Sequence, residues 1–136
     1  MCSILLVEDH KIMADTLVNV LRTKGKFNIA DVAESAEDAM DWLAEQEAEP
    51  QVDLALVDVV LPRTSGIDLV SMIQQRYPGI PCLMISGRSA GQYVKRSLAA
   101  GARGYVLKDD IQDVMKGIQH VLEGGTYLSE QLNGEE

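Results

Sequence analysis

Short runs of consecutive hydrophobic residues alternate five times along the chain with segments in which hydrophobic residues recur every three or four positions. The runs are typical of strands that are buried on both faces, and the periodic segments are typical of amphipathic helices. The alternation therefore predicts an α/β domain with a parallel sheet that helices cover on both sides. The predicted strands are residues 3–7, 28–33, 53–57, 80–85 and 104–107.

Residues that begin helices support this division of the chain. Asp9 and Ser35 are predicted to cap the first and second helices, because a short polar side chain can accept the N–H bonds that a helix start leaves open. The remaining helices are predicted at 66–76, at 90–100, and after Asp109 or Asp110.

The connections between strands restrict their order in the sheet. A crossover between parallel strands is almost always right-handed, and five strand–helix units suit a flavodoxin-like order. We therefore predict a flavodoxin-like (βα)5 three-layer sandwich of the α/β class, with a parallel five-stranded sheet of order 2-1-3-4-5. One such domain accounts for a chain of 136 residues, with 1–129 in the domain and 130–136 as a tail or the start of a linker.

Acidic residues follow two strands that are neighbours in this order. Glu8 and Asp9 come after the first strand, and Asp58 comes after the third. Two carboxylates ~5 Å apart repel each other by roughly 3 kcal/mol at an effective dielectric of ~20, so such a cluster predicts a neutralising cation. Oxygen ligands that are few in number favour Mg²⁺, which retains water and is often shared with a phosphate.

Two further strand ends carry side chains that suit a phosphoryl group. Ser86 follows the fourth strand and Lys108 follows the fifth. A hydroxyl and a compact ammonium can bind the oxygens of a phosphoryl group carried by Asp58. An ionised carboxylate is already a nucleophile, so this chemistry needs no general base.

Composition excludes some classes of protein and partner. The net charge of −9 disfavours direct binding to nucleic acid, and no hydrophobic stretch approaches the ~20 residues of a membrane span. The two cysteines, Cys2 and Cys82, are predicted to be free thiols in a reducing compartment, which makes the cytoplasm the expected location. The two histidines, His10 and His120, are predicted to be exposed and without a partner at ligand spacing.

Four motifs occur in an order that is specific to one family. They are Leu-Leu-Val-Glu-Asp at 5–9, Leu-Val-Asp-Val-Val-Leu-Pro at 56–62 with Gly66, Met-Ile-Ser at 84–86, and Gly-Ala-Arg-Gly-Tyr-Val-Leu-Lys at 101–108. With these motifs the chain, from residue 3 to about residue 129, resembles the receiver domain of two-component response regulators. Asp109 stands where many receivers carry a proline.

The resemblance implies a role for each site residue. It implies that Asp58 accepts a phosphoryl group from the phosphohistidine of a sensor histidine kinase, with Lys108 and Ser86 assisting. It also implies that Ser86 and Tyr105 form a switch pair, and that Val60 and Arg88 tune the lifetime of the phosphate. The implied Mg²⁺ ligands are Glu8, Asp9, Asp58 and the backbone carbonyl of Val60. The chain would then be no enzyme, apart from catalysing its own Mg²⁺-dependent phosphorylation and dephosphorylation.

The resemblance extends to the subfamily with a C-terminal LuxR-type helix-turn-helix domain, which this sequence lacks. The chain is therefore either a fragment of a transcription regulator or a stand-alone receiver, and it would contact DNA only through the absent domain. The subfamily also implies a homodimer through the fourth helix, the fifth strand and the fifth helix. The charged residues expected on that face are Lys95, Arg96, Arg103, Asp113 and Lys116.

Three alternative functions make different demands on the sequence. A Mg²⁺-dependent phosphohydrolase would need an acid two residues after Asp58, where Val60 stands, and an insertion that caps its substrate. A flavodoxin-like FMN carrier would need a phosphate-cradling loop after the first strand, where Glu8 and Asp9 would repel the phosphate. A degenerate receiver that acts only as a protein-interaction module is the remaining alternative, and the intact acids and lysine argue against it.

Overall fold

The computed structural model describes residues 2–46, 51–87 and 91–129. These residues form a six-stranded sheet of order β2-β1-β3-β4-β5-β6, in which every pair of neighbouring strands is parallel. The strands are β1 (Ser3–Val7), β2 (Asn28–Ala33), β3 (Leu54–Asp58), β4 (Cys82–Ser86), β5 (Gly104–Leu107) and β6 (Tyr127–Leu128). The helices are α1 (Lys11–Thr23), α2 (Ala36–Glu45), α3 (Gly66–Arg76), α4 (Val94–Ala100) and α5 (Ile111–Leu122), with a short 3-10 helix at Gly91–Tyr93 before α4.

Hydrophobic residues fill both faces of the sheet. In β1, Leu5 and Val7 belong to the core under α2 and α3, whereas Ile4 and Leu6 belong to the core under α1 and α5. Successive side chains of a strand point to opposite faces, so a central strand covered on both sides must be apolar throughout. The prediction of a parallel three-layer α/β sandwich is confirmed.

The predicted number of strands is wrong by one. Tyr127 and Leu128 pair with Gly104 and Tyr105, so β6 rather than β5 is the edge strand. A two-residue strand leaves no hydrophobic run in the sequence, which is why the pattern missed it. Gly104 permits the pairing, because a Cβ at this position would lie 2.4 Å from the carbonyl oxygen of Tyr127.

Several helix starts agree with the sequence, and one differs. Ser35 and Asp110 cap α2 and α5 by accepting hydrogen bonds from main-chain N–H groups. The N-cap of α1 is His10 rather than Asp9, and its side chain makes no capping bond. The predicted start of the fourth helix at residue 90 lies outside the described residues. No helix in the described ranges is long and apolar enough to cross a membrane.

Candidate functional site

The carboxyl ends of β1, β3, β4 and β5 meet at one edge of the sheet. The chain stays hydrogen-bonded just beyond these ends: the N–H of Glu8 donates to the carbonyl of Ala33 at 2.9 Å, and the N–H of Lys108 donates to the carbonyl of Ser86 at 2.7 Å. Asp58 is the last residue of β3. Residues from four strands are therefore held by the sheet itself rather than by long loops.

Three carboxylates lie together at this edge. Ligand atoms of Glu8, Asp9, His10 and Asp58 all lie within 4.8 Å of one another. Glu8 and Asp58 are buried, with 1% and 2% of their surface exposed. The side chain of Asp9 is 32% exposed. Two of the three acids are thus deprived of water, and the third lies at the mouth of the site.

Lys108 joins the two buried carboxylates. Its Nζ lies 2.7 Å from Oδ2 of Asp58 and 2.7 Å from Oε1 of Glu8. Burial lowers the pKa of Lys108, but the hydrogen bonds to Asp58 and Glu8 outweigh it and leave this pKa raised. The lysine therefore stays protonated and supplies one positive charge to the site.

One ammonium group cannot compensate the negative charges of both carboxylates, and the pKa values of the two acids shift in opposite directions. Burial raises the pKa of Asp58 to about 6, and Glu8 adds to this effect while Lys108 opposes it. Burial also acts to raise the pKa of Glu8, but its interactions with Lys108 prevail and the net shift is downward. Removing two adjacent protons from one site is harder than removing one, so Asp58 holds its proton more tightly than an exposed aspartate.

The donor set fits a hard divalent cation. Three carboxylates and one ammonium leave two negative charges uncompensated, and carboxylate oxygens are ligands that Mg²⁺ prefers. Glu8, Asp9 and Asp58 are thus brought together as the sequence predicts for a magnesium site. The main-chain N–H of Val60 donates to Oδ1 of Asp58 at 3.1 Å, which keeps this residue beside the carboxylate. The part expected for its carbonyl oxygen stays a prediction.

A close main-chain contact positions Asp58. A Cβ on Gly66, the first residue of α3, would lie 1.9 Å from the carbonyl oxygen of Asp58. The N–H of Gly66 donates to the carbonyl of Val59 at 2.9 Å. Only glycine allows the start of α3 to approach the end of β3 this closely. This explains physically why a glycine follows the aspartate at this spacing.

Ser86 and Tyr105 lie on neighbouring strands and are both buried, with 3% and 0% of their surface exposed. Burial raises the pKa of Tyr105 to about 12, and a side-chain hydrogen bond with Ser86 opposes this shift. The phenol ring therefore lies inside the fold with its oxygen next to the serine hydroxyl. Arg88, the other residue expected near the phosphate, lies outside the described residues.

His10 lies closer to the acidic cluster than the sequence pattern indicates. Its side chain is 72% exposed, as predicted, but its Nδ1 lies 3.4 Å from Oε2 of Glu8 and 3.5 Å from Oδ1 of Asp9. The prediction that His10 has no partner at ligand spacing is wrong. Its position directly after Glu8 and Asp9 was the available signal, because a turn at the start of a helix brings consecutive residues together.

Comparison with known proteins gives the family. A family model described as the response regulator receiver domain matches residues 4–123. The transcriptional regulatory protein MctR of Rhizobium johnstonii is 32% identical over 127 residues, which are 93% of this chain and 58% of that protein. The transcriptional activator DevR/DosR of Mycobacterium tuberculosis is 32% identical over 109 residues, which are 80% of this chain and 48% of that protein. The chain thus spans roughly half the length of these curated relatives.

Solved structures agree on the fold. A two-component response regulator of the LuxR family from Aurantimonas sp. SI85-9A1 superposes with a TM-score of 0.90 at 24% identity, covering 99% of this chain and 94% of that one. A CheY-like receiver domain protein from Methanospirillum hungatei JF-1 superposes with a TM-score of 0.76 at 25% identity, covering 100% of this chain and 99% of that one. The family model, the relatives and the fold lead to one conclusion: this chain belongs to the response regulator receiver domain family.

Proposed function

We propose that this receiver is a phosphorylation-gated switch of a two-component system and that Asp58 is its phosphoacceptor. The observation that carries the proposal is the position of Asp58, buried at the end of β3 between the ammonium of Lys108 and two further acids. A carboxylate oxygen of Asp58 attacks the phosphorus of a phosphohistidine on a sensor histidine kinase. The N–P bond breaks as the O–P bond forms, and the imidazole keeps the electron pair.

The side chains around Asp58 suit the charge of this transfer. Phosphoryl transfer depends mainly on positioning and on stabilisation of charge on the phosphoryl oxygens. Lys108 is 13% exposed and already contacts Asp58, so it can follow the incoming group without a large movement. The Ser86 hydroxyl, at the end of the neighbouring strand β4, would be a second donor to the phosphoryl group. Mg²⁺ held by Glu8, Asp9 and Asp58, with the carbonyl of Val60, would neutralise charge on the other side.

The switch would run from Ser86 to Tyr105 and then along β5. Tyr105 is fully buried and hydrogen-bonded with Ser86, so a serine that turns toward a phosphate changes the environment of the ring. Tyr105, a residue of β5, pairs with Leu128 of β6, and its carbonyl accepts a hydrogen bond from the N–H of Ser129. A buried side chain that can adopt two alternative packed arrangements is the usual basis of a two-state switch.

A homodimer through α4, β5 and α5 remains part of the proposal, with one correction to the face. Lys95, Arg96, Arg103 and Lys116 are exposed and available for contacts. Asp113 is not available in the same way, because its carboxylate accepts hydrogen bonds from Tyr127 and Ser129. The usable charges on this face are therefore mainly positive, and a symmetric contact would need acids from elsewhere on the face.

The output is proposed from the relatives. MctR is named as a transcriptional regulatory protein and DevR/DosR as a DNA-binding transcriptional activator, and each is longer than this chain. We propose that residues 1–129 form the receiver and that its state controls an effector domain or partner in transcription regulation. A cytoplasmic location is proposed because Cys2 and Cys82 are free thiols, as is usual in a reducing compartment. The residues 130–136, proposed as a tail or linker start, lie outside the described residues.

The proposal is tested by intact mass spectrometry after incubation with acetyl phosphate. We expect one phosphoryl group on the parent protein with Mg²⁺, none with EDTA, and none on Asp58→Asn under either condition. Time points of seconds to minutes distinguish rapid hydrolysis from a failure to react. An unlabelled parent at all times would overturn the proposal and favour a degenerate interaction module.

The coupling to self-association needs a separate measurement. Size-exclusion chromatography with light scattering should show a shift toward the dimer on phosphorylation of the parent and no shift with Asp58→Asn. A dimer that forms equally in both proteins would contradict the coupling while leaving the phosphoacceptor role intact.

A further inference from the structure

The imidazole of His10 stands beside the proposed magnesium ligands without making a normal hydrogen bond to them. Its Nδ1 is 3.4 Å from Oε2 of Glu8 and 3.5 Å from Oδ1 of Asp9. A hydrogen bond between nitrogen and oxygen is usually about 2.7–3.2 Å long. Two ligands of one ion, each about 2.1 Å from it, lie roughly 3–4 Å apart. The spacing is that of neighbouring ligands rather than of a bonded pair.

The main chain fixes His10 in this place. The N–H of His10 donates to Oε2 of Glu8 at 3.3 Å, and its carbonyl accepts the hydrogen bond of Ala14 at 2.9 Å. His10 is the N-cap residue of α1, but its side chain makes no capping bond. The imidazole is therefore attached to a hydrogen-bonded helix start, and its ring is not used to cap the helix.

His10 and Lys108 occupy different sides of the acid cluster. Lys108 contacts Oε1 of Glu8, whereas His10 lies near Oε2 of the same carboxylate. The lysine side chain is 13% exposed and the histidine side chain is 72% exposed. An ion held by Oε2 of Glu8 and Oδ1 of Asp9 would thus have the imidazole as a neighbour, while Lys108 keeps its contact with Oε1 of Glu8.

We propose that His10 is a nitrogen ligand of this metal site, so that the site also takes borderline divalent transition metals such as Co²⁺ and Ni²⁺. This inference rests on the proposed function, because it uses the same three carboxylates. Imidazole favours these ions over Mg²⁺, and affinity at a mixed nitrogen–oxygen site rises from Mn²⁺ through Co²⁺ to Ni²⁺. His10 therefore determines which metal the receiver prefers, and the oxygen ligands alone suffice for Mg²⁺.

The first test is titration calorimetry of untagged protein with Ni²⁺ and, separately, with Mg²⁺. We expect His10→Ala to weaken Ni²⁺ binding on the order of tenfold, while its affinity for Mg²⁺ changes less than about twofold. His120→Ala is the matched control, because His120 stacks on Tyr127, away from the site, at a centroid distance of 5.1 Å. This control should bind both metals like the parent. Equal affinity for Ni²⁺ in the parent and in His10→Ala would overturn the inference.

A spectroscopic test detects the ligand directly. Pulsed EPR of the Mn²⁺-loaded protein should show nitrogen coupling from a bound imidazole in the parent and in His120→Ala, and none in His10→Ala. Absence of this coupling from the parent would also overturn the inference. Mg²⁺ binding and Mg²⁺-dependent labelling of Asp58 separate the two proposals. If both persist while nitrogen coupling is absent, only the role of His10 fails; if Mg²⁺ does not bind the parent, both proposals fail.

Discussion

Lys108 and Asp58, fifty positions apart in the chain, are joined by a hydrogen bond of 2.7 Å between Nζ and Oδ2. The same Nζ lies 2.7 Å from Oε1 of Glu8, so one ammonium bridges the ends of β1 and β3 from the end of β5. Both carboxylates are almost fully buried. The bridge therefore compensates charge that water cannot reach, and its removal has consequences for stability and for metal binding.

Replacing Lys108 with alanine should separate these two consequences. Without the ammonium, two buried carboxylates face each other, so we expect the free energy of unfolding to fall by about 3 kcal/mol in EDTA at neutral pH. Mg²⁺ should still bind, because its oxygen ligands remain and one more of their negative charges is uncompensated. Urea denaturation with EDTA and with saturating Mg²⁺ measures both effects. The Mg²⁺-dependent stabilisation should be larger in Lys108→Ala than in the parent.

Lys95→Ala is the control for loss of a lysine charge, since Lys95 is exposed on α4. It should change the free energy of unfolding by less than about 0.5 kcal/mol. If Lys108→Ala were equally harmless in EDTA, the bridge would not stabilise the fold. We also expect phosphorylated Lys108→Ala to lose most of the conformational response at Tyr105, and a normal response would contradict the role given to the lysine.

The raised pKa of Asp58 predicts how stability depends on pH. In the folded chain this pKa is about 6, above the ordinary value of 3.8. Between these two pH values the folded state binds more protons than the unfolded state, so stability decreases as pH rises through this window. Without a divalent cation, the full loss of stability from ionising Asp58 is present above about pH 6. A pKa shift of this size corresponds to roughly 3 kcal/mol.

Asp58→Asn removes this titrating group without changing its shape. In EDTA, we expect the mutant to be more stable than the parent at pH 7.5, by up to about 3 kcal/mol, and the difference to shrink toward zero near pH 4. Thermal or urea denaturation of both proteins across this range measures the difference and cancels the contributions that they share. A difference that stays constant with pH would show that Asp58 has an ordinary pKa.

The sequence predicted the main parts of the site because they depend on strand ends. Strands buried on both faces are visible as hydrophobic runs, and the parallel order then brings Glu8, Asp58 and Lys108 to one edge of the sheet. Only the family resemblance suggested roles for Tyr105 and Val60, because the spacing of hydrophobic residues does not indicate either role. The predicted strand boundary at 53–57 was one residue early at each end, since β3 is Leu54–Asp58.

What the sequence did not predict depends on contacts between individual side chains and short segments. Asp53, expected to begin a strand, instead accepts a hydrogen bond from the N–H of Ser3 at 2.7 Å. The ring of His10 approaches the acids through the geometry of one helix start, and hydrophobic patterns carry no information about this. Strand β6 is too short to show a period, and its pairing depends on the absence of a side chain at Gly104.

The contact between Gly66 and the carbonyl oxygen of Asp58 predicts a large effect from a single methyl group. In Gly66→Ala the Cβ would lie 1.9 Å from that oxygen, so the start of α3 or the end of β3 must shift. We expect a loss of at least about 2 kcal/mol in the free energy of unfolding and slower labelling of Asp58 by acetyl phosphate.

Gly79→Ala is the matched control, because a Cβ at Gly79 meets nothing within 4 Å. It should change the free energy of unfolding by less than about 0.5 kcal/mol and leave the rate of labelling unchanged. Equal effects of the two substitutions would show that the close approach at Gly66 is not a constraint on the site.

The C-terminal strand is held by hydroxyl groups, and this predicts which residue anchors it. Ser129 is buried: its N–H donates to the carbonyl of Tyr105 at 3.1 Å, and its Oγ accepts from the N–H of Leu107 at 3.3 Å. The Ser129 and Tyr127 hydroxyls also donate to the carboxylate of Asp113. Ser129→Ala leaves the buried N–H of Leu107 without its acceptor, so we expect the free energy of unfolding to fall by about 1–3 kcal/mol and amide hydrogen exchange at Leu107 to become faster.

Tyr127→Phe is the control for this prediction, because it removes a hydroxyl from Asp113 and spares the bond to Leu107. Unchanged exchange at Leu107 in Ser129→Ala would mean that β6 stays in place without this serine.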